Sequence, residues 1–306
     1  MEDKILITGA AGFIGSSLFK SLTKKGKTVI GLDNFDNPCG AKVKCIKGDV
    51  RDYELMDRLI KDVDIIYHLA AQINVDRSYD QGQLTYDVNV NGTKNILEAC
   101  KKYGKKMLFA STSEVYGTAK TKYISESHSL NPQSPYAESK KTAEKMCVKY
   151  WKDFGVKVII LRSFNTYGPY QNKNHYGAVI PVFIKRILNN LSPEVYLPGT
   201  QTRDFMYIDD AIRAYEIAVD KGKFGDPINF GTGNEISIYN LAEKIIMLEE
   251  SSFRPTYIKQ RPDEVMRLRA DISKSREMGF TPQVTIDQGL KRYIMWFKKN
   301  NQADAE

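Results

Sequence analysis

Three glycines spaced three residues apart, Gly9, Gly12 and Gly15, follow the first strongly apolar run of the chain, "KILIT". Between a predicted strand and a predicted helix, such a triplet allows a tight turn whose backbone can approach a bound group closely. The N terminus of the helix that follows can stabilise an anion, so the pattern indicates a site for the pyrophosphate of a dinucleotide. The spacing is GxxGxxG and not GxGxxG, and a plain tight turn is the alternative interpretation.

An acidic residue stands at the end of the next predicted strand. Asp33 in "GLDNF" can accept hydrogen bonds from both hydroxyls of an adenosine ribose, and no arginine follows it closely. A carboxylate there would repel the 2′-phosphate of NADP, so the pattern favours NAD. After the third predicted strand, "GDV" places Asp49 and Val50 where an adenine would lie, although Asp49 could instead cap the following helix.

Short β-branched runs alternate with longer amphipathic stretches through the first half of the chain. The predicted strands are Lys4–Thr8, Thr28–Leu32, Val43–Lys47, Ile65–His68, Met107–Ser111 and Val156–Arg162. This alternation predicts an α/β fold with a Rossmann-type doubly wound parallel sheet. Beyond residue 166, Pro, Gly and Asn become frequent, which predicts a smaller mixed α/β C-terminal lobe. We expect one domain over 1–166, a second over 167–306, and a return of the chain to the first around 204–230.

A tyrosine and a lysine stand four residues apart in "SPYAESK". Ser134 and Pro135 are typical of the cap and first turn of a helix, which would put Tyr136 and Lys140 on one face. A phenol with its ordinary pKa near 10 is a poor base at neutral pH. A nearby ammonium and an oxidised nicotinamide would both lower that pKa, so this tyrosine could take a proton from a sugar hydroxyl as hydride leaves. Taken alone, the motif could also be an incidental surface pair.

Composition argues against several other classes of function. The 306 residues carry a formal net charge of +8, but the lysines are scattered and form no stripe of the kind that binds nucleic acid. No run approaches the roughly 18 apolar residues of a membrane helix, and the acidic N terminus is unlike a signal peptide, so we expect a cytoplasmic protein with no membrane partner. The four cysteines and three histidines lack metal-ligand spacing, and no metal site is predicted.

Several segments together resemble one family. The glycine triplet, "HLAAQ", "NVNGT", "STSEVYG" and "SPYAESK" occur in order, and "LRSFNTYGP", "QTRDFMYIDD" and "RPDEV" extend the match over nearly the whole chain. The chain resembles the extended short-chain dehydrogenase/reductases, and among them the NAD-dependent nucleotide-sugar epimerases and dehydratases. The resemblance implies bound NAD, a nucleotide-diphosphate sugar (with UDP the expected nucleotide) held by the second lobe, and a role in polysaccharide or glycan precursor synthesis. It also implies a homodimer joined through helices over Val88–Tyr103 and Tyr136–Phe154.

The same resemblance assigns roles to individual residues. The expected catalytic residues are Thr112, Ser113, Glu114, Tyr136 and Lys140, with Thr112 orienting the reacting hydroxyl. The expected cofactor-binding residues are Gly9, Gly12, Phe13, Ile14, Asp33, Asn34, Asp49, Val50, Leu69, Ala70, Ala71, Gln72, Asn89, Ser111, Tyr136 and Lys140. The expected substrate-binding residues are Asn165, Val179, Arg203, Arg261 and Glu264. The two arginines would grip the diphosphate through bidentate contacts, and surface ion pairs are the alternative for them.

Two of these residues bear on the step that follows oxidation of the sugar at C4. A 4,6-dehydratase needs a base and an acid, and many family dehydratases carry Asp-Glu where this chain has Ser113 and Glu114. Some amino-sugar dehydratases and UDP-glucuronate decarboxylases share "TSEVYG", so both lyase reactions stay open, with Glu114 as the C5 base of a dehydratase. The missing acid favours a 4-epimerase acting on a UDP-hexose, UDP-N-acetylhexosamine or UDP-uronate, in which Glu114 is a polar anchor.

Overall fold

A parallel sheet of seven strands organises the computed structural model, which describes residues 3–35, 43–171, 178–259 and 264–302. The strands are β1 (Lys4–Thr8), β2 (Thr28–Asp33), β3 (Ile46–Lys47), β4 (Ile65–His68), β5 (Lys106–Thr112), β6 (Lys157–Ser163), β7 (Asn165–Tyr167), β8 (Glu194–Tyr196), β9 (Thr202–Arg203), β10 (Phe205–Tyr207), β11 (Pro227–Phe230), β12 (Ile236–Ser237) and β13 (Thr256–Ile258). The order in the large sheet is β11-β6-β5-β4-β1-β2-β3, and all neighbours are parallel.

Helices connect the strands and cover both faces of the sheet. They are α1 (Phe13–Lys24), α2 (Tyr53–Lys61), α3 (Val75–Asp80), α4 (Gly82–Tyr86), α5 (Gly92–Tyr103), α6 (Pro135–Phe154), α7 (Val179–Leu188), α8 (Ile208–Lys221), α9 (Ile238–Leu248), α10 (Ser273–Glu277) and α11 (Ile286–Gln302). A π-helical turn over Asp87–Asn91 leads into α5, and a 3₁₀ turn over Ser113–Tyr116 follows β5. The predicted doubly wound fold is therefore confirmed.

Alternating side chains of the central strands divide the core between the two faces. Ile5 and Ile7 of β1 pack in the cluster that contains residues of α1 and α8, whereas Leu6 packs in the cluster that contains residues of α2, α5 and α6. This is the pattern expected when parallel strands are buried on both sides. The edge strand β3 is shorter than predicted because only two residues pair with β2, and Ile46 remains 40% exposed.

The C-terminal half both extends the large sheet and builds three small ones. β11 pairs with β6 at the edge of the large sheet, within the stretch where the chain was expected to return. The small sheets join β7 to β10, β9 to β12 and β8 to β13. Asn165 lies opposite Phe205 in the first of these sheets, and Arg203 lies opposite Ile236 in the second. The Asn165 N–H also donates to the Asp204 carbonyl at 3.0 Å, so Asn165 and Arg203, two of the predicted substrate-binding residues, lie near each other beyond the end of β6.

An ion pair between Glu144 of α6 and Arg162 of β6 is buried against the large sheet, with each side chain only 4% exposed. One Glu144 oxygen accepts hydrogen bonds from Arg162 Nε at 3.1 Å and from Ser111 Oγ at 2.8 Å. Arg162 Nη1 also donates to Tyr116 Oη at 2.7 Å, and that hydroxyl donates to Asn229 Oδ1 at 2.7 Å. Buried charges are tolerated only when they are paired and hydrogen-bonded, so this network fixes α6 against β5, β6 and β11.

Removing one partner of this pair should destabilise the fold. Glu144→Gln leaves the Arg162 guanidinium buried without its counter-charge, and we expect the free energy of unfolding in urea to fall by about 3–5 kcal/mol. The matched control is Lys149→Met, which breaks an exposed pair with Asp153 on the same helix and should cost below about 0.5 kcal/mol. Equal effects of the two substitutions would contradict a stabilising role for the network.

Candidate active site

The glycine turn after β1 packs directly against the segment that follows β4. Gly9 has a φ of +74°, and a Cβ there would lie 2.7 Å from the Ala70 nitrogen. A Cβ on Gly15 would lie 2.0 Å from the Gly9 oxygen. The Leu69 N–H donates to the Thr8 carbonyl at 3.1 Å, which holds the two segments side by side. The close approach explains why both positions require glycine.

The first turn of α1 presents backbone N–H groups next to this glycine turn. Gly12 is the N-cap residue, and no side chain caps the helix or places a negative charge in its first turn. Phe13 and Ile14 are its first two residues. The N–H groups of a first helical turn have no acceptor within the helix, so this end of α1 can bind an anion such as a pyrophosphate.

Asp33 closes the turn from the end of β2 and is 8% exposed. Its Oδ2 accepts from the Ala11 N–H at 2.9 Å and its Oδ1 accepts from the Phe35 N–H at 3.1 Å. Each carboxylate oxygen has a second lone pair, so the group can still accept from ribose hydroxyls. Asn34 is exposed, and its side chain makes a small contribution to lowering the pKa of Asp49.

Asp49 is engaged by Arg51. Arg51 donates from Nη2 to Oδ2 at 2.7 Å and from Nε to Oδ1 at 3.0 Å, and this contact lowers the pKa of Asp49 below its ordinary value. Val50, between them in the chain, is buried. The alternative in which Asp49 caps the next helix is wrong, because Asp52 is the N-cap of α2 and accepts from the Leu55 N–H at 3.0 Å.

Asn89 holds the partly exposed segment 69–72 and is itself 1% exposed. Its Oδ1 accepts from the Gln72 N–H at 2.8 Å, while its Nδ2 donates to the Gln72 carbonyl at 3.0 Å and to Ser139 Oγ at 2.9 Å. Ser139 Oγ donates in turn to the Tyr136 carbonyl at 2.7 Å. Asn89 lies in the π-helical turn before α5, a distortion that is frequent at functional sites.

Tyr136 is the second residue of α6, and local hydrogen bonds fix its backbone. Ser134 caps the helix by accepting from the Ala137 N–H at 3.1 Å, and the Tyr136 N–H donates to Ser78 Oγ at 3.1 Å. The phenol lies near the side chain of Thr112. Burial raises the pKa of Tyr136 above its ordinary value of 10, the Thr112 contact opposes that rise, and Glu114 adds to it.

Thr112, Ser113 and Glu114 lie together where β5 becomes the 3₁₀ turn. Thr112 Oγ1 accepts from the Glu114 N–H at 3.2 Å, which fixes the hydroxyl against this turn on the side near Tyr136. Ser113 is 2% exposed, whereas Glu114 is partly exposed. The site thus combines a tyrosine, a threonine hydroxyl and one carboxylate.

Lys140 is 3% exposed, and its Nζ lies 4.3 Å from the centroid of the Phe109 ring. Burial lowers the pKa of Lys140 from 10.5 to about 8, although Cys147 and Glu144 oppose the shift. The expectation that this ammonium lowers the pKa of Tyr136 is not met by the protein groups alone. Burial dominates at both residues and favours the uncharged form of each.

Ser111 takes part in the buried network rather than presenting its hydroxyl at the strand end. Its Oγ donates to Glu144 at 2.8 Å, and the residue is 5% exposed. The sequence gives no sign of this contact, because Ser111 and Glu144 are 33 residues apart. Its predicted contact with a cofactor would therefore have to come from its backbone.

Two predicted substrate-binding residues, Arg203 and Glu264, form an ion pair with each other. Arg203 Nη2 and Glu264 Oε1 are 2.7 Å apart, with side chains 11% and 10% exposed. Arg203 Nη1 also donates to the carbonyls of Thr202 at 3.0 Å and Val265 at 2.6 Å. These contacts aim the guanidinium while leaving donors unused, since the group has five N–H bonds.

The remaining predicted substrate-binding residues are distributed around this pair. Asn165 Oδ1 is buried and has no hydrogen-bond partner among the described residues, which leaves an acceptor for a ligand donor. Val179 is the first residue of α7, whose N terminus no side chain caps. Arg261 lies outside the described residues.

Sequence reasoning missed Ser78 and Ser139, which hold Tyr136 through its backbone. Both are buried serines in helices, and a single sequence offers no signal for their partners. Over the described ranges, no group of three or more His, Cys, Asp or Glu side chains could hold a metal ion. Within the same ranges, no helix is long and apolar enough to span a bilayer.

The pKa of Lys140 predicts a specific dependence of stability on pH. Between about pH 8 and pH 10.5 the unfolded chain keeps the proton on this lysine while the folded protein has lost it, so stability rises with pH. The rise contributed by Lys140 should reach about 3 kcal/mol in the free energy of unfolding. Urea denaturation at pH 7.5 and pH 10 should show this rise in the wild type and its loss in Lys140→Met.

Lys149→Met is the control, because it removes an exposed ammonium from the same helix. If Lys140→Met and the wild type have parallel stability curves across this range, the lysine is not buried as described.

The chain matches a family model described as GDP-mannose 4,6 dehydratase over residues 6–293. It is 38% identical to a putative UDP-glucose 4-epimerase of Methanocaldococcus jannaschii, with 97% of this chain and 99% of the relative covered. It is 36% identical to a UDP-N-acetyl-α-D-glucosaminuronate decarboxylase of Bacillus cytotoxicus, with 98% and 99% covered. The solved structure of dTDP-glucose 4,6-dehydratase from Streptomyces venezuelae, with NAD bound, superposes with a TM-score of 0.92 at 29% identity, covering 98% of each chain.

These similar proteins carry the names of three different reactions, an epimerisation, a decarboxylation and a dehydration. Each alignment runs over nearly the full length of both chains, so the likeness extends from the glycine turn to the C-terminal lobe. The chain is an enzyme of the GDP-mannose 4,6-dehydratase family, which groups the nucleotide-sugar epimerases, dehydratases and decarboxylases within the short-chain dehydrogenase/reductases.

Proposed function

We propose that this protein is an NAD-dependent 4-epimerase of a UDP-hexose, a UDP-N-acetylhexosamine or a UDP-uronate. The observation that carries the proposal is the Thr112 side chain placed close enough to the Tyr136 phenol to lower its pKa, with a buried serine, Ser113, where a dehydratase would need its acid. The M. jannaschii relative, a putative UDP-glucose 4-epimerase, supports the same reaction.

The residues of the first half fit NAD. The glycine turn needs positions without a Cβ, the first turn of α1 offers backbone N–H groups, and Asp33 can accept from the adenosine ribose. Residues 69–72 and Asn89 would line the nicotinamide side, and Lys140 would hold the second ribose. When bound, NAD accepts hydride from the sugar and returns it, and its oxidised ring adds positive charge near Tyr136.

The protein side chains handle the proton and the geometry. Thr112 would orient the C4 hydroxyl, and Tyr136, in the phenolate form that the positive charge of bound oxidised NAD would favour, would accept its proton as the 4-keto sugar forms. Because burial raises the pKa of Tyr136, its phenolate would be a strong base for this step, and the phenol so formed would hold the same proton until the sugar oxygen takes it back as hydride returns. Inversion at C4 then requires only that the keto sugar turn its other face toward the hydride carrier.

The C-terminal lobe, taken as 167–306, would bind the nucleotide diphosphate. The remaining N–H groups of Arg203 suit phosphate oxygens, and the unpartnered Asn165 Oδ1 suits a hydroxyl or amide of the sugar nucleotide. Glu264 would contact the nucleotide ribose beside Arg203, and Arg261 and Val179 complete the proposed set.

The proposal includes a homodimer and a cytoplasmic location. The dimer would form through α5 and α6, where Phe154 at the end of α6 is 48% exposed. The thiols of Cys45, Cys100 and Cys147 are unpaired, which fits a reducing compartment. A UDP-sugar epimerase there would supply precursors for polysaccharide synthesis.

Two lyase reactions are the alternatives. A 4,6-dehydratase would use Glu114 as the C5 base, and its carboxylate is near enough to Tyr136 to raise the pKa of the phenol. A UDP-glucuronate-type decarboxylase needs little acid–base help after C4 oxidation, and the B. cytotoxicus relative is named for that reaction on an N-acetylated uronate.

Tyr136→Phe should lower kcat by about 100- to 10,000-fold, because it removes the proton acceptor, while the affinity for NAD changes little. Turnover of candidate UDP-sugars is followed by NMR, and NAD binding by calorimetry. Tyr150→Phe removes another phenol from the same helix, one bonded to Glu98, and should keep kcat near the wild-type value. Activity that survives Tyr136→Phe would overturn the mechanism.

Turnover in deuterated water separates the three reactions. We expect two C4 epimers to equilibrate without deuterium at C5, and Glu114→Gln to cost about tenfold or less in kcat, as for one lost polar contact. Deuterium at C5 with loss of the C6 hydroxyl, together with a loss of about 100-fold or more in Glu114→Gln, would identify a dehydratase. Release of CO₂ from a UDP-uronate would identify a decarboxylase.

A further inference from the structure

His68, the last residue of β4, is buried beneath the proposed cofactor site and has no role in the mechanism above. It is 1% exposed. Its Nδ1 lies 2.9 Å from Thr8 Oγ1, and its Nε2 lies 2.9 Å from Thr93 Oγ1. Both ring nitrogens are therefore satisfied by threonine hydroxyls from two other elements, β1 and α5.

The neighbouring hydrogen bonds determine the direction of each contact. Thr93 uses its single hydroxyl proton to donate to the Asn89 carbonyl at 2.6 Å, so it must accept from His68 Nε2–H. Thr8 Oγ1 accepts from the Ala70 N–H at 3.3 Å and donates to the bare Nδ1 of His68. A series of hydrogen bonds, each donated in the same direction, thus runs from the Ala70 N–H through Thr8, the neutral His68 ring and Thr93 to the Asn89 carbonyl.

The two ends of this series of hydrogen bonds lie in two parts of the proposed site, the glycine turn and the backbone next to Tyr136. Thr8 directly precedes Gly9, whose backbone touches Ala70 so closely that a Cβ would lie 2.7 Å from the Ala70 nitrogen. Asn89 binds both Gln72 and Ser139. Through Ser139, its amide reaches the carbonyl of Tyr136.

The surroundings keep the imidazole uncharged. The His68 ring lies 5.8 Å from the Phe109 ring, and the ammonium of Lys140 lies over that same ring at 4.3 Å. Burial, with a smaller contribution from Lys140, lowers the pKa of His68 to about 3. A protonated ring would donate from both nitrogens and would turn Thr8 away from its contact.

We propose that His68 is a positioning residue that couples the β1–α1 glycine turn to the backbone of the catalytic tyrosine through Thr8 and Thr93. The inference rests on the proposed function for the identity of the two ends. A histidine that only fills the core would also be buried. In that case, however, loss of one ring contact would not change NAD affinity selectively, and loss of the other would not change kcat selectively.

Two substitutions of His68 each remove one of its two ring contacts and keep the other. His68→Asn keeps an acceptor at the position of Nδ1 and loses Thr93, whereas His68→Gln keeps a donor at the position of Nε2 and loses Thr8. We expect His68→Gln to weaken NAD binding about tenfold with the smaller effect on kcat, and His68→Asn to lower kcat about tenfold with the smaller effect on NAD affinity. Thr8→Val should reproduce the first result and Thr93→Val the second.

Thr85→Val is the matched control, because Thr85 is a fully buried threonine whose hydroxyl donates to the Gln81 carbonyl, away from the chain of contacts. It should change neither NAD affinity nor kcat. Equal changes in both quantities for His68→Asn and His68→Gln, tracking only their loss of stability, would overturn the proposal.

Two NMR measurements keep this test separate from the proposed function. In ¹⁵N-histidine-labelled protein, His68 should show the Nε2-protonated tautomer with no titration from pH 5 to pH 9. In protein labelled at tyrosine Cζ, His68→Asn should shift the resonance assigned to Tyr136, and Thr85→Val should not. If the wild type neither binds NAD nor acts on nucleotide sugars, the proposed function fails, while an unmoved Tyr136 resonance or a titrating His68 refutes the coupling itself.

Discussion

The buried pair of Glu144 and Arg162 is the constraint on which the site depends. Two charges that have left water need their hydrogen-bonding partners, which include Ser111 of β5 and Tyr116 of the 3₁₀ turn, and β11 supplies the acceptor for the Tyr116 hydroxyl. Ser111 precedes Thr112, which lies near the phenol of Tyr136, and Glu144 stands one helical turn beyond Lys140. These contacts therefore hold α6 in its position relative to the end of β5.

Burial acts on the two titratable groups of the site in opposite directions. It raises the pKa of Tyr136 and lowers that of Lys140, so both groups are driven toward the uncharged form. A scaffold of this kind does not hold a standing phenolate–ammonium pair. It holds a neutral phenol and a lysine whose pKa of about 8 lies close to neutral pH, so the protonation of both responds to any charge that enters, which suits a reaction in which one proton leaves the sugar and later returns.

Sequence patterns predicted those parts of the molecule whose causes are local. The bounds of β1 and β4 agree with the prediction, and the four-residue spacing of Tyr136 and Lys140 correctly indicated one helix face. Partners far apart in the chain carry no such signal. The contacts of Asn89 with Ser139 and of Arg203 with Glu264 span 50 and 61 residues, and only the folded chain brings them together. The edge strand β3 was predicted too long, because an apolar run does not reveal whether a neighbour is there to pair with it.

The contact between Tyr116 and Asn229 has a consequence for the order of events during synthesis. The two residues are 113 positions apart, so the last acceptor of the buried network emerges from the ribosome long after Tyr136 and Lys140. Pairing that joins distant segments is slow and must await the later one. Nascent chains that end before β11 carry all the proposed catalytic residues. They lack Asn229, however, which completes the buried network around Glu144 and Arg162. The enzyme therefore becomes competent late, when its C-terminal half has been made.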